Sequence, residues 1–481
     1  MKVSAADTVG MLDLAGTKAF RRLLPLALLC YVLSFVDSTN VAIAKLTMKE
    51  DLPWFSDAVY GDGCAAFFLG YLALAHPGAR LVERLSARKL IAASMVVGGV
   101  LTSAMAFIRA PMHFYALRTV LGITQGVFAS SMCVYLLHWL PKRESARATP
   151  WVLIAMPLSQ ILSAKMSNAM LDIHLFGLSD LPHRLGLEQW IHVLGVKGWI
   201  QIFSQKIYAY LIGLRGWQWM FIGWGLPTII LGLLMPRGLP DRPYVTWWLS
   251  IAERAALELE YERNQAEVGA KRNGAARRAL GHRKLVLLGL VYFAAVAASY
   301  GIVFFLPSIL RDSYELSRDT VTWLLMLPPS GAIVTLLLAR SHSDPERDRR
   351  PRMALALFFG AAVLFAVPRT EDSLVLTMAC FVGAAASVAL VQPSLWALRP
   401  LLVSEATSGG IALIYGMGSL GGAFGLSMMG HMKIATGSYS RGLTLLATVM
   451  SLAAVVVFLL GLGKERQSRP NPTRHAPPSA V

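Results

Sequence analysis

The sequence predicts an all-α integral membrane protein of twelve transmembrane helices in two six-helix bundles. Three observations carry that expectation. Of 481 residues, 55% are apolar and only 15% charged, far below the charge content of a soluble chain. Apolar runs of about 20 residues, the length that crosses a bilayer at 1.5 Å per residue, recur along the whole sequence. The 45 Lys and Arg against 28 Asp and Glu, a net +17, sort by loop rather than forming one basic patch. That distribution excludes a nucleic-acid binder.

The expected spans are 23–44, 58–79, 87–108, 112–138, 147–171, 217–235, 285–310, 318–339, 353–368, 372–397, 408–432 and 442–462. The first has no cleavage site behind it and is too long for a signal-peptide core, so it is expected to stay as an anchor. With the N-terminus inside, cytoplasmic segments hold 31 of the cations and the opposite face 12. Both tails are therefore expected in the cytoplasm of an inner membrane. The organisation follows: an N-tail over 1–22, a first bundle over 23–235 with an enlarged outer loop at 172–216, a linker over 236–284, a second bundle over 285–463 and a disordered C-tail over 464–481. Within the linker, Ser250 to Glu267 has helical spacing and alternating charge, which predicts a surface helix.

A weak internal repeat supports the six-and-six division. The turn after span two carries Glu83, Arg84 and Arg88, and the turn after span eight carries Asp344 and Arg349. Each combines an acid with several cations, as a conformational latch would. Matching halves are the signature of carriers whose substrate site lies at the midplane between bundles.

Charged side chains inside spans are costly and face protein or water. Asp37, Arg118 and Lys165 each lie about six or seven residues from the outer end of their spans, roughly 10 Å deep, so they could meet in one layer. Arg118 offers a bidentate fork to a carboxylate, with a fixed Asp37–Arg118 pair between spans one and four as the structural alternative. Asp37, the only acid well inside a span, is the candidate proton carrier. Lys165 is either a second substrate cation or a side chain reaching outward past the interface toward Asp172.

Several stretches together resemble one known family. They include Leu-Cys30-Tyr-Val-Leu-Ser-Phe-Val-Asp37-Ser-Thr-Asn40, Phe67-Phe68-Leu-Gly70-Tyr71, Phe114-Tyr-Ala-Leu-Arg118, Gly216-Trp217-Gln-Trp219, Leu239-Pro-Asp-Arg242-Pro, Trp396-Ala-Leu and Gly418-Ser-Leu-Gly421-Gly422. The chain resembles the anion:cation symporter group of the major facilitator superfamily, whose members carry organic acids such as sugar acids, tartrate and aromatic carboxylates. The resemblance covers nearly the whole chain and implies proton-coupled uptake of a small carboxylate by alternating access. The polar and aromatic residues within the spans, Arg118, Lys165, Gln125, Ser38, Tyr300, Gln392, Trp396 and Tyr415, are expected to build the substrate cavity, Trp396 falling on a motif of the family. Four departures bear on that implication. Ser38 stands where the family has Arg, Gln125 where it has Glu, Gln218 and Trp224 where it has Arg and Glu, and Tyr415 and Ser419 where it has two Asn. The loss of charge leaves open an exporter or facilitator of a less charged metabolite, and a sensor built on a transporter scaffold.

No catalytic constellation appears, so no enzyme is expected, and no cofactor beyond a proton gradient. Gly416-Met-Gly418-Ser-Leu-Gly421 fits a dinucleotide fingerprint but follows no strand and sits in an apolar helix. It reads as close helix packing. Cys30, Cys64, Cys133 and Cys380 lie singly in apolar runs, and the His residues show no metal-ligand spacing. The loop 172–216 repeats Trp, Ile, Leu and Tyr at helical spacing, expected as amphipathic helices on the outer surface. The expected partners are a small-molecule substrate and the bilayer, with the protein a monomer.

Overall fold

The computed structural model describes residues 5–75, 81, 85–171, 214–270, 283–341, 350–402 and 407–462, nearly all of them helical. The first bundle is built from α1 (Ala5–Thr39), α2 (Val41–Asp51), α3 (Asp57–Ala75), α4 (Ala87–Ala104), α5 (Pro111–Trp139), α6 (Lys142–Leu171) and α7 (Gly216–Gly238). Then come α8 (Ile251–Ala270) in the linker and the second bundle: α9 (Arg283–Tyr314), α10 (Arg318–Leu325), α11 (Leu327–Ser341), α12 (Arg350–Ala366), α13 (Leu374–Leu402), α14 (Thr407–Thr436) and α15 (Ser440–Leu462). Among the described residues nine helical stretches are long and apolar enough to cross a membrane. Helices α3, α6 and α14 occupy the places of the other three expected spans. The outer loop, the C-tail, and Glu83, Arg84, Asp344 and Arg349 lie outside the described residues.

Two spans differ from the simple rods the hydropathy predicts. Span one runs on as α1 and α2 with Asn40 between them, and Ala44 still donates to the Asn40 carbonyl at 3.1 Å, so the line bends without breaking. Span eight divides at Met326 into α10 and α11. Pro328 and Pro329 begin the second segment, and their missing N–H groups cannot continue the first.

The internal repeat becomes a symmetry of packing. Helix α1 pairs with α6 as α9 pairs with α14, α3 with α5 as α11 with α13, and α4 with α7 as α12 with α15. The halves meet along α3 with α14 and, in the equivalent relation, α6 with α11. In lipid these contacts depend on close fit rather than on hydrophobic exclusion. The expectation for the glycine run holds: a Cβ on Gly421 would lie 2.2 Å from the Phe293 carbonyl of α9. The outward faces are apolar, as with Leu226, Ile230 and Leu233 of α7.

The linker helix is also where the sequence puts it. Ser250 and Glu253 cap it reciprocally, with Ser250 N–H donating to Glu253 at 2.9 Å and Glu253 N–H to Ser250 Oγ at 3.3 Å. Lys18 of α1 meets Glu253 at 2.7 Å. That ammonium, with the Ser250 amide, holds the Glu253 carboxyl below the usual range.

Candidate functional site

The end of the bundles away from the linker helix α8, which meets Lys18 of α1, is termed distal. There the halves are tied together. Lys45 of α2, only 2% exposed, forms an ion pair with Asp57 of α3 at 2.6 Å. Its ammonium also lies over the rings of Tyr60 at 4.4 Å and of Phe305, from the second half, at 4.5 Å. Tyr439 of the second half donates its Oη–H to Asp57 at 3.1 Å, and Tyr60 donates to the Phe304 carbonyl at 2.9 Å. Arg311 bridges to Glu50 and to the Leu46 carbonyl. Asn168 donates to Asp319 at 2.6 Å and Ser427 to Asp62 at 2.6 Å. None of these residues was expected to be functional, although Lys45 and Tyr60 are charged and polar positions inside or beside apolar runs.

Below this seal, between the halves, lies a cavity of about 110 Å³. Thr39, Ala42 and Ile43 line it from span one, Leu153, Met156, Pro157, Gln160 and Ser163 from α6, and Ser299, Val303 and Pro307 from α9. Leu325, Pro329 and Ala332 come from α10 and α11, and Val388, Ala389 and Gln392 from α13. Among the described residues, no side chain lining it is ionisable. Gln160 and Gln392 face it from opposite halves. Only Gln392 was expected; a lone Gln in the apolar run of span five was the available signal for Gln160.

The other expected residues are dispersed. Asp37, 2% exposed, has no hydrogen-bond partner on either carboxylate oxygen. Its polar neighbours are the hydroxyls of Thr102 on α4 and Thr228 on α7, inside the first bundle. Arg118, 1% exposed, donates to the Ser38 carbonyl at 3.0 Å and lies over the Phe67 ring at 4.9 Å. Asp37 and Arg118 form no ion pair, and Lys165 lies over the Trp323 ring of α10 at 4.1 Å. The three charges have different neighbours and do not meet, so the expected single layer does not form. Lys165, exposed beside Trp323, follows the outward reading rather than the cavity one.

Most substituted positions do packing work. Gln125 exchanges hydrogen bonds with Ser34 of α1, its amide donating to the Ser34 carbonyl at 2.9 Å. Ser38 donates to the Phe35 carbonyl at 2.8 Å. Gln218 accepts from Arg215 N–H at 2.8 Å and donates to the Ala106 carbonyl at 2.6 Å, fixing the start of α7 against α4. Trp224 donates to Ser167 at 2.8 Å. Tyr415 sets its ring edge-on to Tyr292 at 6.0 Å. Tyr300 stands at the cavity edge, its hydroxyl 3.9 Å from Met156 Sδ and its ring 4.6 Å from that of Phe68. Trp396 lies in α13, with its side chain outside the described residues.

Of the expected latch residues, Arg88 is described, and its acid is one the sequence reading passed over. It pairs with Asp241 at 2.7 Å and donates to the Pro236 carbonyl at 3.2 Å, while Ser86 donates to the same aspartate. Asp241 belongs to the Leu239-Pro-Asp-Arg242-Pro motif. Both side chains are about a third exposed, so the pair is weak by itself. Asp241→Asn is expected to slow transport about two- to fivefold, by analogy with a tie worth up to ~1 kcal/mol. Exchanging the charges as Arg88→Asp with Asp241→Arg should recover rate relative to either single change, measured as initial uptake. Equal rates for the single variants and the native chain would remove the latch role.

Residues 27–176, 201–426 and 288–481 match the family model described as Major Facilitator Superfamily. A putative tartrate transporter of Agrobacterium vitis is 32% identical over 457 residues, covering 94% of this chain and 96% of that protein. The putative metabolite transport protein NicT of Pseudomonas putida is 28% identical, covering 96% and 98%. Among solved structures, a bacterial homologue of the human lysosomal transporter Spinster, inward-facing and occupied, superposes with a TM-score of 0.68 at 14% identity, covering 92% of this chain and 96% of that one. The xylose transporter XylE from E. coli, in a partially occluded inward-open state, gives 0.64 at 15% identity, covering 92% and 98%.

Proposed function

The chain belongs to the major facilitator superfamily, and from that membership we propose that it moves a small organic acid across the cytoplasmic membrane by alternating access. That it is a multi-pass membrane transporter of small organic compounds, and not an enzyme, follows from the family and the relatives. The organic-acid reading draws on relatives named as tartrate transporters. The observation that carries alternating access is the pairing of a central cavity with a seal on one side of it. The cation bias of 31 to 12 makes the distal end the outer one, so this state faces inward. In the reading proposed, the Lys45–Asp57–Tyr439 cluster, the Tyr60–Phe304 bond and Arg311 open as the halves rock, while Arg88 with Asp241 fastens the opposite side.

Counterflow in proteoliposomes tests the reading directly. Vesicles preloaded with unlabelled tartrate, lactate or benzoate should accumulate the labelled acid transiently. Absence of flux across an organic-acid panel would overturn it, and saturable binding without flux would favour a sensor. Alkalinisation of a lightly buffered medium on acid entry reports proton symport.

A further inference from the structure

Among the described residues the cavity wall offers hydrogen-bonding groups but no charge. Pro157 in α6, Pro307 in α9 and Pro329 in α11 interrupt helical hydrogen bonding on both halves. Proline has no N–H, so the carbonyl four residues earlier loses its helical donor. Those carbonyls belong to Leu153, Val303 and Leu325, and both members of all three pairs line the cavity. Such carbonyls are tolerated at membrane depth only where a cavity or other protein groups can serve them. Gln160 and Gln392 add two amides with no hydrogen-bond partner among the described residues.

A carboxylate only accepts hydrogen bonds, whereas a carboxylic acid has one O–H to donate and a carbonyl to accept with. Among the described residues an anion here would meet no cation, and desolvating it would cost several kcal/mol. We propose that the cavity takes its organic acid in the uncharged, protonated form, so that the coupled proton travels on the cargo itself. The acid O–H donates to a freed carbonyl and its C=O accepts from a glutamine amide. One RCOO⁻ and one H⁺ combine outside as RCOOH, cross together and separate inside, with no net charge moved. This rests on the organic-acid reading above and explains how coupling survives Gln125 and Ser38.

Among the described residues, the ionisable groups nearest the cavity face elsewhere. Asp37 points to Thr102 and Thr228, Lys45 is held by Asp57, and Lys165 lies over Trp323. Asp319 accepts from Asn168, Tyr300 reaches Met156, and neither Arg318 nor Cys380 lines the cavity.

The test uses purified full-length protein in liposomes, with benzoate, lactate and tartrate as probes, each beside its primary amide and its sulfonate counterpart. For a transported monocarboxylate, the apparent KM for total acid should rise about tenfold per pH unit from pH 5.5 to 7.5, as the neutral fraction falls. Expressed as neutral acid it should stay constant. The amide should compete and the sulfonate, which stays ionised, should not. Gln160→Leu and Gln392→Leu should each weaken acid and amide alike, by about three- to tenfold, the worth of one hydrogen bond. Acid flux with a KM constant in total anion, inhibited by the sulfonate and not by the amide, would overturn the inference while leaving the organic-acid reading intact. It would return the carboxylate to a cation such as Arg118. No flux of any acid would overturn both.

Discussion

Asp57→Asn should destabilise the protein by about 3–5 kcal/mol, because it strips the counter-charge from an ammonium that has no other acid in ion-pair contact. Lys45 is 2% exposed, and its side chain and that of Asp57 are too deep for solvent screening to discount the loss. The aromatic faces of Tyr60 and Phe305 remain, yet cation–π attraction is worth about 2 kcal/mol when desolvated and does not replace an ion pair. The double variant Lys45→Met with Asp57→Asn removes both charges and should recover much of the stability lost in either single change, since an apolar substitute avoids the desolvation cost. Thermal unfolding of the purified protein followed by tryptophan fluorescence measures this. Additive effects of the two changes would show that the pair is not coupled. Tyr439→Phe is the milder companion: it removes the bond from the second half to Asp57 and the longer one to Asp312. It should leave unfolding nearly unchanged while moving the population toward the distal-open state, read as the distance between spin labels at the two distal rims.

Gly421→Ala should be damaging out of proportion to its size. The added methyl would meet the Phe293 carbonyl at 2.2 Å, and a backbone atom in a packed helix cannot turn aside as a flexible side chain can. Helices α9 and α14 would have to separate along the longest contact of the second half. Overpacking of this kind costs about 1–3 kcal/mol and sometimes more. The control is Gly10→Ala, where nothing lies within 4 Å and helix propensity favours alanine by about 1 kcal/mol. Lower yield and a lower unfolding temperature for Gly421→Ala, with no loss for Gly10→Ala, are expected. Equal stability of the two variants would mean that the α9–α14 contact is not tight.

Much of this protein is written in its hydropathy. Every expected span has its helix, because a helix satisfies its own backbone wherever water is absent. The glycine run of α14 and the linker helix from Ser250 were legible for the same reason: both rest on local geometry and a fixed spacing. Position along the span was legible too, since Asp37, Arg118 and Lys165 each stand about six or seven residues from one end of an expected span. Direction was not. At about 100° per residue, Asp37 points nearly opposite to the mean direction of Thr39, Ala42 and Ile43, which line the cavity. Lys165 stands about 140° from Gln160 on the same helix by that rule.

The sequence by itself therefore determined the membrane class, the twelve spans, the internal repeat and the places where glycine and proline interrupt the pattern. Only the tertiary structure decided which face of each helix meets the other half. That choice put Gln160 and Gln392, with Leu153, Val303 and Leu325 four residues before their prolines, in the lining of the cavity, and placed Asp37 and Arg118 within the first bundle. It also brought Lys45, Asp57 and Tyr439, far apart in the chain, into one seal. The reason is that a helix fixes spacing along its axis locally, while its rotation about that axis is fixed by the side chains of its neighbours, which in lipid is a matter of fit alone.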